Sequence, residues 1–151
     1  MSNVSPSTDP SRVLALDLGQ RRIGVALSDE GRTIAQPLTV LPRSGRDHDV
    51  YAIAALCKAH GVGLIVIGLP EPLPGAAPSP MAEQAQRLGQ RLARVTGLPV
   101  EYVDEFETTV EARELLLEAD SSRDRRRQVV DKLAAAIILR RWLDQHPLAG
   151  C

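Results

Sequence analysis

Aromatic side chains are scarce: one Trp, two Tyr and one Phe, or 3% of 151 residues. A core must therefore be assembled from Leu, Val, Ile and Ala, which suits helices packed on a sheet whose buried strands are aliphatic runs. Cysteine is equally thin. Cys57 and Cys151 lie far apart and in no metal-type spacing. That argues against a disulfide-stapled scaffold and leaves two free thiols suited to a reducing cytoplasm. No apolar run approaches the roughly 18–20 residues needed to span a membrane. Residues 1–11 are polar and hold no apolar signal core, so a disordered tail on a soluble, cytoplasmic protein is expected. Charge of one sign is missing too, since the formal net charge is −1. A uniformly basic nucleic-acid binder is thereby excluded, but a local basic patch is not. A site made of carboxylates would itself draw the balance down.

What is present fits one domain, expected over 12–146 with a short tail at 147–151. A chain of this size buries roughly 68–70% of its unfolded surface and needs no staples to fold. Val13–Leu18 is an aliphatic strand that carries an acid near its end. Gly19-Gln20 turns the chain, and Ile23, Val25 and Leu27 alternate as a second strand would. Thr33–Leu41 reads as a third strand. Pro37 lies inside it and cannot donate to a ladder, so this strand belongs at a sheet edge.

Asp47–His60 has helical spacing through Val50, Ile53, Ala54 and Cys57, with Gly61 as its stop. Leu64–Ile67 reads as a buried strand ended by Gly68-Leu69-Pro70. The stretch from Pro70 to Pro80 holds five prolines, too many for a helix or central strand. Glu71–Ser79 is expected to be a mobile flap. Ser79 caps the next helix with Pro80 at its first position. Ala82, Ala85, Leu88, Leu92 and Val95 form the inner face, and Gly97 closes it. Val100–Val103 is a strand ending at Asp104. Thr108-x-x-Glu111 is a capping box for a helix through Val110, Leu115, Leu116 and Ala119. A last helix spans about Arg123 to Asp144.

Three strands in succession form an antiparallel meander, and the two that follow helical crossovers run parallel. The expected fold is α/β: a mixed five-stranded sheet with helices on both faces. Its acids fall where sheet enzymes build sites, at the carboxyl ends of strands. Asp17 ends the first strand, and Asp104 and Glu105 end the fifth. Asp131 lies early in the last helix, ahead of Ala134 and Ala135, whose small side chains let that helix approach the sheet. Singly, each acid could be a turn residue, a cap or half of a surface ion pair. Together they repel one another unless a cation gathers them. Oxygen-only donors suit Mg²⁺ or Mn²⁺, and a two-ion site can hydrolyse a phosphodiester.

Arg123, Arg125, Arg126 and Arg127 form the clearest basic patch. Cations at a helix N-terminus oppose its dipole, a placement that a phosphate partner would relieve; otherwise they are a solvated helical turn. Arg21 and Arg22 in the hairpin can add to the patch. His48, His60 and His146 are dispersed, and none reads as a ligand or a base.

In order along the chain, these residues resemble the YqgF family, also called RuvX, of the RNase H-like superfamily. Its first motif, Asp-x-Gly-x-Lys/Arg-Arg-Ile-Gly-Val-Ala, is matched by Asp17, Gly19, Arg21, Arg22, Ile23, Gly24, Val25 and Ala26. Ser28-Asp29, Gln36-Pro37, Gly68-Leu69-Pro70 and Thr96-Gly97-Leu98-Pro99-Val100 also fit. Asp104-Glu105, followed by Thr108 or Thr109, and Asp131-x-Leu133-Ala134-Ala135 with Ile138-Leu139 complete the set, over about residues 12–144. Two departures stand out. Phe106 replaces the arginine of the family's Asp-Glu-Arg, and the loop after Pro70 has lost most of its polar side chains. Glu71 stands where related nucleases carry an acid after the fourth strand, and is read as a solvated loop acid.

The resemblance implies an RNase H-like fold similar to that of Holliday-junction resolvases. It implies Asp17, Asp104 and Asp131 as catalytic metal-binding acids; Glu105, beside Asp104 at the strand end, is a candidate further ligand. It also implies a nuclease that matures the 5′ end of precursor 16S ribosomal RNA, acting on structured RNA or ribosomal precursor particles. The alternatives are a resolvase of branched DNA, which acts symmetrically only as a homodimer, and a non-catalytic nucleic-acid-binding scaffold. An actin-like nucleotide-binding protein shares the Asp-x-Gly hairpin but needs a second copy of the fold, for which this chain is too short.

Overall fold

The computed structural model of the chain describes residues 12–70, 75, 77, 79–104 and 123–146, without the side chains of 123–131. The expected tails, Glu71, Glu105, Phe106, the Thr108 capping box with its helix, and most of the proline-rich loop lie outside the described residues.

Among the described residues, five strands and three helices follow one another as β1 (Arg12–Leu18), β2 (Arg22–Ser28), β3 (Ala35–Pro42), α1 (Arg46–His60), β4 (Val62–Leu69), α2 (Pro80–Thr96), β5 (Val100–Asp104) and α3 (Arg123–Gln145). The sheet order is β3-β2-β1-β4-β5. β1, β2 and β3 pair antiparallel, and β1, β4 and β5 pair parallel. The mixed sheet expected from the sequence is the one observed.

β3 takes the edge position its proline demands. Pro37 lies opposite Ala26, and the register slips between Val25 and Ala26 so that Leu38 is the extra residue. The bulge absorbs a residue that cannot donate. β3 begins two residues later than its β-branched start suggested. Thr33 and Ile34 instead close a turn on Asp29, whose carboxylate accepts the Thr33 amide at 2.7 Å, the Thr33 hydroxyl at 2.8 Å and the Ile34 amide at 2.8 Å.

The central strands are buried on both faces, and period-two alternation divides the core. Leu14, Leu16 and Leu18 of β1, with Ile65 and Ile67 of β4, meet Val50, Ile53 and Cys57 of α1 and Ala85, Leu88 and Leu92 of α2. Val13, Ala15, Leu64 and Val66 face the other way, against Ala135, Ile138, Leu139, Trp142 and Leu143 of α3. Each large aliphatic fully buried here contributes about 1.5–3 kcal/mol. Ala15 and Ala26 are directly opposite each other in β1 and β2, and both sit in the α3 layer with Ala135. Small residues on both surfaces let this helix lie close to the sheet.

α2 keeps its expected cap, for the Ser79 hydroxyl accepts the Ala82 amide at 3.1 Å and Pro80 follows it. Gly61 and Gly97 end α1 and α2 in left-handed conformations, with φ of 65° and 73°, which glycine adopts without steric cost. Two expected inner-face residues differ. Val95 is 46% exposed, because the last turn of α2 runs past the core. Ala54 is only half-buried, and Asp49 takes its place among the buried residues of α1. From the first turn of α1 the Asp49 carboxylate reaches back to accept the Ser44 amide, 2.9 Å away. It thereby serves the α1 N-terminus, where Gly45 offers no side-chain cap.

Candidate metal centre and nucleic-acid interface

β1, β4 and β5 run parallel, so their carboxyl ends share one edge of the sheet. Asp17 is the penultimate residue of β1 and is half-buried. It alternates with Ala15 and therefore stands on the α3 face. Directly across the ladder is Gly24. Residues paired in this way share a face, so the ladder partner of Asp17 contributes no side chain of its own on that face. The motif's other glycine has a different task. The Gly19 amide donates to the Arg22 carbonyl at 2.8 Å, and a Cβ on Gly19 would meet that same oxygen at 2.9 Å. Only glycine fits a turn this tight so close to Asp17.

Asp104 ends β5 level with Leu69, the last residue of β4. β4 separates β5 from β1, so the backbones of Asp17 and Asp104 are on the order of 10 Å apart. The two acids share an edge but, by period, not a face. Val103 is buried in the α3 layer, and alternation turns the following residue toward α2. The Asp104 backbone stays tied to α3, because Arg141 Nη1 donates to its carbonyl at 2.8 Å. Asp131 lies on α3, the helix that covers Asp17's face; its side chain is outside the described residues, as is Glu105. Among the described residues no group of three or more His, Cys, Asp or Glu is close enough to hold a metal. The structure thus brings Asp17 and the helix bearing Asp131 to one face, and Asp104 to the same edge.

The direction of α3 is set by contacts at its C-terminal half. Arg140 Nη1 donates to the Thr33 carbonyl at 3.0 Å, and Trp142 Nε1 donates to Glu101 at 3.0 Å. Thr33 belongs to the β2–β3 turn, at the edge where β1 begins. Asp131 lies three helical turns before Trp142, roughly 16 Å along the axis.

Carboxylates suit a hard divalent ion by type. Their oxygens are the ligands such an ion takes, and Asp17 is the described acid that stands on the α3 face at this edge. Around it the cations are unevenly placed. Arg21 is exposed in the β1–β2 turn and Arg22 is half-buried. Sequence reading missed Arg43, which holds this turn in place by donating from Nη1 to the Gly19 carbonyl at 3.0 Å. No motif marks it; the only signal was a lone arginine after the edge strand. Arg123, Arg125, Arg126 and Arg127 open α3, with side chains outside the described residues. Ser28 and Asp29, which the motif includes, are structural. The Ser28 hydroxyl accepts the Val13 amide at 2.8 Å, and Asp29 closes its turn.

Residues 11–145 match the family model for RuvX, described as a Holliday junction resolvase. The chain belongs to that family. A relative in Pelotomaculum thermopropionicum is 48% identical over 136 residues, covering 89% of this chain and 88% of its own. One in Myxococcus xanthus is 43% identical over 135 residues, covering 89% of each chain. Both carry names that mark them as candidate pre-16S rRNA nucleases. Among solved structures, Thermus thermophilus RuvC bound to a Holliday junction superposes with a TM-score of 0.59 at 13% identity, covering 90% of this chain and 96% of that one. The fowlpox virus Holliday junction resolvase gives 0.52 at 7% identity, covering 89% and 99%. At such identities the likeness is one of fold, and the fold is RNase H-like. Among the described residues, no helix is long and apolar enough to cross a membrane.

Proposed function

We propose that this RuvX-family protein is a Mg²⁺- or Mn²⁺-dependent nuclease that hydrolyses phosphodiester bonds at the 5′ end of precursor 16S rRNA. The observation that carries the reading is Asp17. It is a half-buried carboxylate at the end of a central strand, on the face that α3 covers, with a glycine opposite. Asp17 and Asp131 would hold the metal from the α3 face, and Asp104, on the same edge but turned by strand period toward α2, and Glu105 are the further acids assigned to it. A bound pair of ions supplies activation of water and charge stabilisation at the leaving oxygen. The chain's own part is to hold these carboxylates on a rigid sheet edge and to hold the substrate's phosphates. Arg21, Arg22 and the Arg123–Arg127 cluster are the residues assigned to that second task. The names of the relatives support precursor rRNA as the substrate and the cytoplasm as its setting.

Branched DNA is the second reading, favoured by the junction-bound fold relative. Symmetric cleavage of a four-way junction would require a homodimer. The test sets labelled precursor 16S rRNA and four-way junctions side by side, with Mg²⁺, Mn²⁺ or chelator. Shortening at the rRNA 5′ end, abolished by chelator and reduced at least on the order of 10³-fold by Asp17→Asn, is expected. Junction cleavage without rRNA processing would move the assignment to the second reading. Full activity in chelator would remove the metal from it.

A further inference from the structure

On the face of the sheet opposite α3, next to the same edge, a cleft of about 400 Å³ opens between α1, α2 and the end of β1. Four arginines line it: Arg43, Arg46, Arg87 and Arg91. Leu18 forms part of its floor, one residue after Asp17 and on the other side of the sheet by alternation. We infer that this cleft binds phosphates of the nucleic-acid strand as it bends over the sheet edge away from Asp17. The inference rests on the nuclease reading above and extends the substrate path to a face that reading does not use.

The charge balance of the cleft supports an anionic occupant. Among the described residues, neither Arg43 nor Arg46 forms an ion pair; Arg43 gives one hydrogen bond to a carbonyl, and Arg46 is exposed. Arg87 pairs with Glu83 at 3.9 Å, one helical turn away, with both side chains more than half exposed. Arg91 pairs with Asp47, whose side chain is 74% exposed. Such surface pairs are worth roughly 0–1 kcal/mol, so a phosphate can compete for both arginines. The Arg91 Nε is buried without a hydrogen-bond partner, a donor left over beside the cleft. Asp49 is the one carboxylate in the lining, and it already accepts the Ser44 amide. Arg43 also links the two regions physically, since the guanidinium in the cleft holds the Gly19 turn two residues beyond Asp17.

A protein of net charge −1 needs local cations to hold a polyanion, and each neutralised phosphate adds roughly 0.7–0.9 to the salt slope of binding. The test titrates labelled structured RNA and a four-way junction at several salt concentrations. It compares wild type, Arg46→Ala/Arg87→Ala, and Arg94→Ala, an exposed α2 arginine outside the cleft. A second arm adds inorganic pyrophosphate alone, and a third measures Mn²⁺ affinity. For the double variant the log–log slope should fall by roughly 1.4–1.8 with Mn²⁺ affinity unchanged, while Arg94→Ala tracks wild type. A Gln/Gln version at the same positions guards against a folding defect. Equal slopes in wild type and double variant would overturn the cleft and leave the nuclease reading standing. Pyrophosphate binding lost in the double variant, with nucleic-acid slopes unchanged, would overturn the strand assignment in favour of a free phosphate ligand. Failure of the wild type to bind either nucleic acid would overturn both readings.

Discussion

The two ends of the parallel strands are built from similar residues and do different work. Where β1 begins, most polar groups satisfy one another, with the buried Arg12 Nε as the exception. Asp29 gives its oxygens to the Thr33 and Ile34 amides and the Thr33 hydroxyl. Glu101 accepts Trp142 Nε1, and Trp142 stacks on His146 with ring centroids 4.2 Å apart. Arg140 joins the Thr33 carbonyl to Asp144. Where β1 ends, the acids stand on two faces of one edge, a glycine faces Asp17, and Arg43 and Arg46 hold charge with no carboxylate of their own. An acid whose oxygens go to nearby backbone amides is a turn cap. An acid on a rigid strand end, with cations nearby, is where a metal and a phosphate can be held.

Gly19→Ala should have the largest effect on stability in this comparison. The new methyl meets a backbone oxygen, not the movable tip of a side chain, so overpacking of about 1–3 kcal/mol is expected. Denaturant unfolding reads that cost, and cleavage should fall with it because the turn lies beside Asp17. An Ala variant of unchanged stability would show that the turn is looser than its hydrogen bond implies.

Asp29→Ala should cost less, about 1 kcal/mol or below, since its bonds are exposed to solvent, and it should leave cleavage intact. Its effect should depend on pH. The Ile34 amide, with the Thr33 hydroxyl and amide, lowers the Asp29 carboxyl from its ordinary 3.8 to about 2 against a smaller opposing effect of burial. A group with a depressed folded pKa stabilises above its unfolded pKa and loses that contribution as pH falls. Wild type and Asp29→Ala should therefore differ near neutral pH and converge between about pH 4 and pH 2. A gap that persists at pH 2 would mean that the loop is held by something other than this carboxylate.

Much of this architecture was legible because local chemistry and tertiary need agree. Pro37 could sit only at an edge, and the structure adds the bulge at Leu38. Ser79-Pro80 and Gly97 bracket α2 as their types require. The failures have identifiable causes. Thr33 and Ile34 have strand propensity, but Asp29 offers their amides a better partner than the ladder. Val95 continues the apolar stripe of α2 past the end of the layer it would pack on. The joint placement of the acids was legible as a shared strand edge. Their division between faces was not, since it depends on which residue of β5 enters the α3 layer. The four cleft arginines were illegible for a different reason. Arg87 and Arg91 are one helical turn apart, but Arg43 and Arg46 come from a distant loop and helix start, and only the packing of α1 against α2 gathers them.

The central claim is that Asp17 holds a divalent metal while Asp29, twelve residues on, only shapes a turn. Calorimetric titration of Mn²⁺ into wild type, Asp17→Asn and Asp29→Asn at neutral pH tests it most directly. Binding in wild type and Asp29→Asn, with most of the heat lost in an Asp17→Asn protein that unfolds at an unchanged temperature, is the expected result. Equal Mn²⁺ binding by wild type and Asp17→Asn would contradict it.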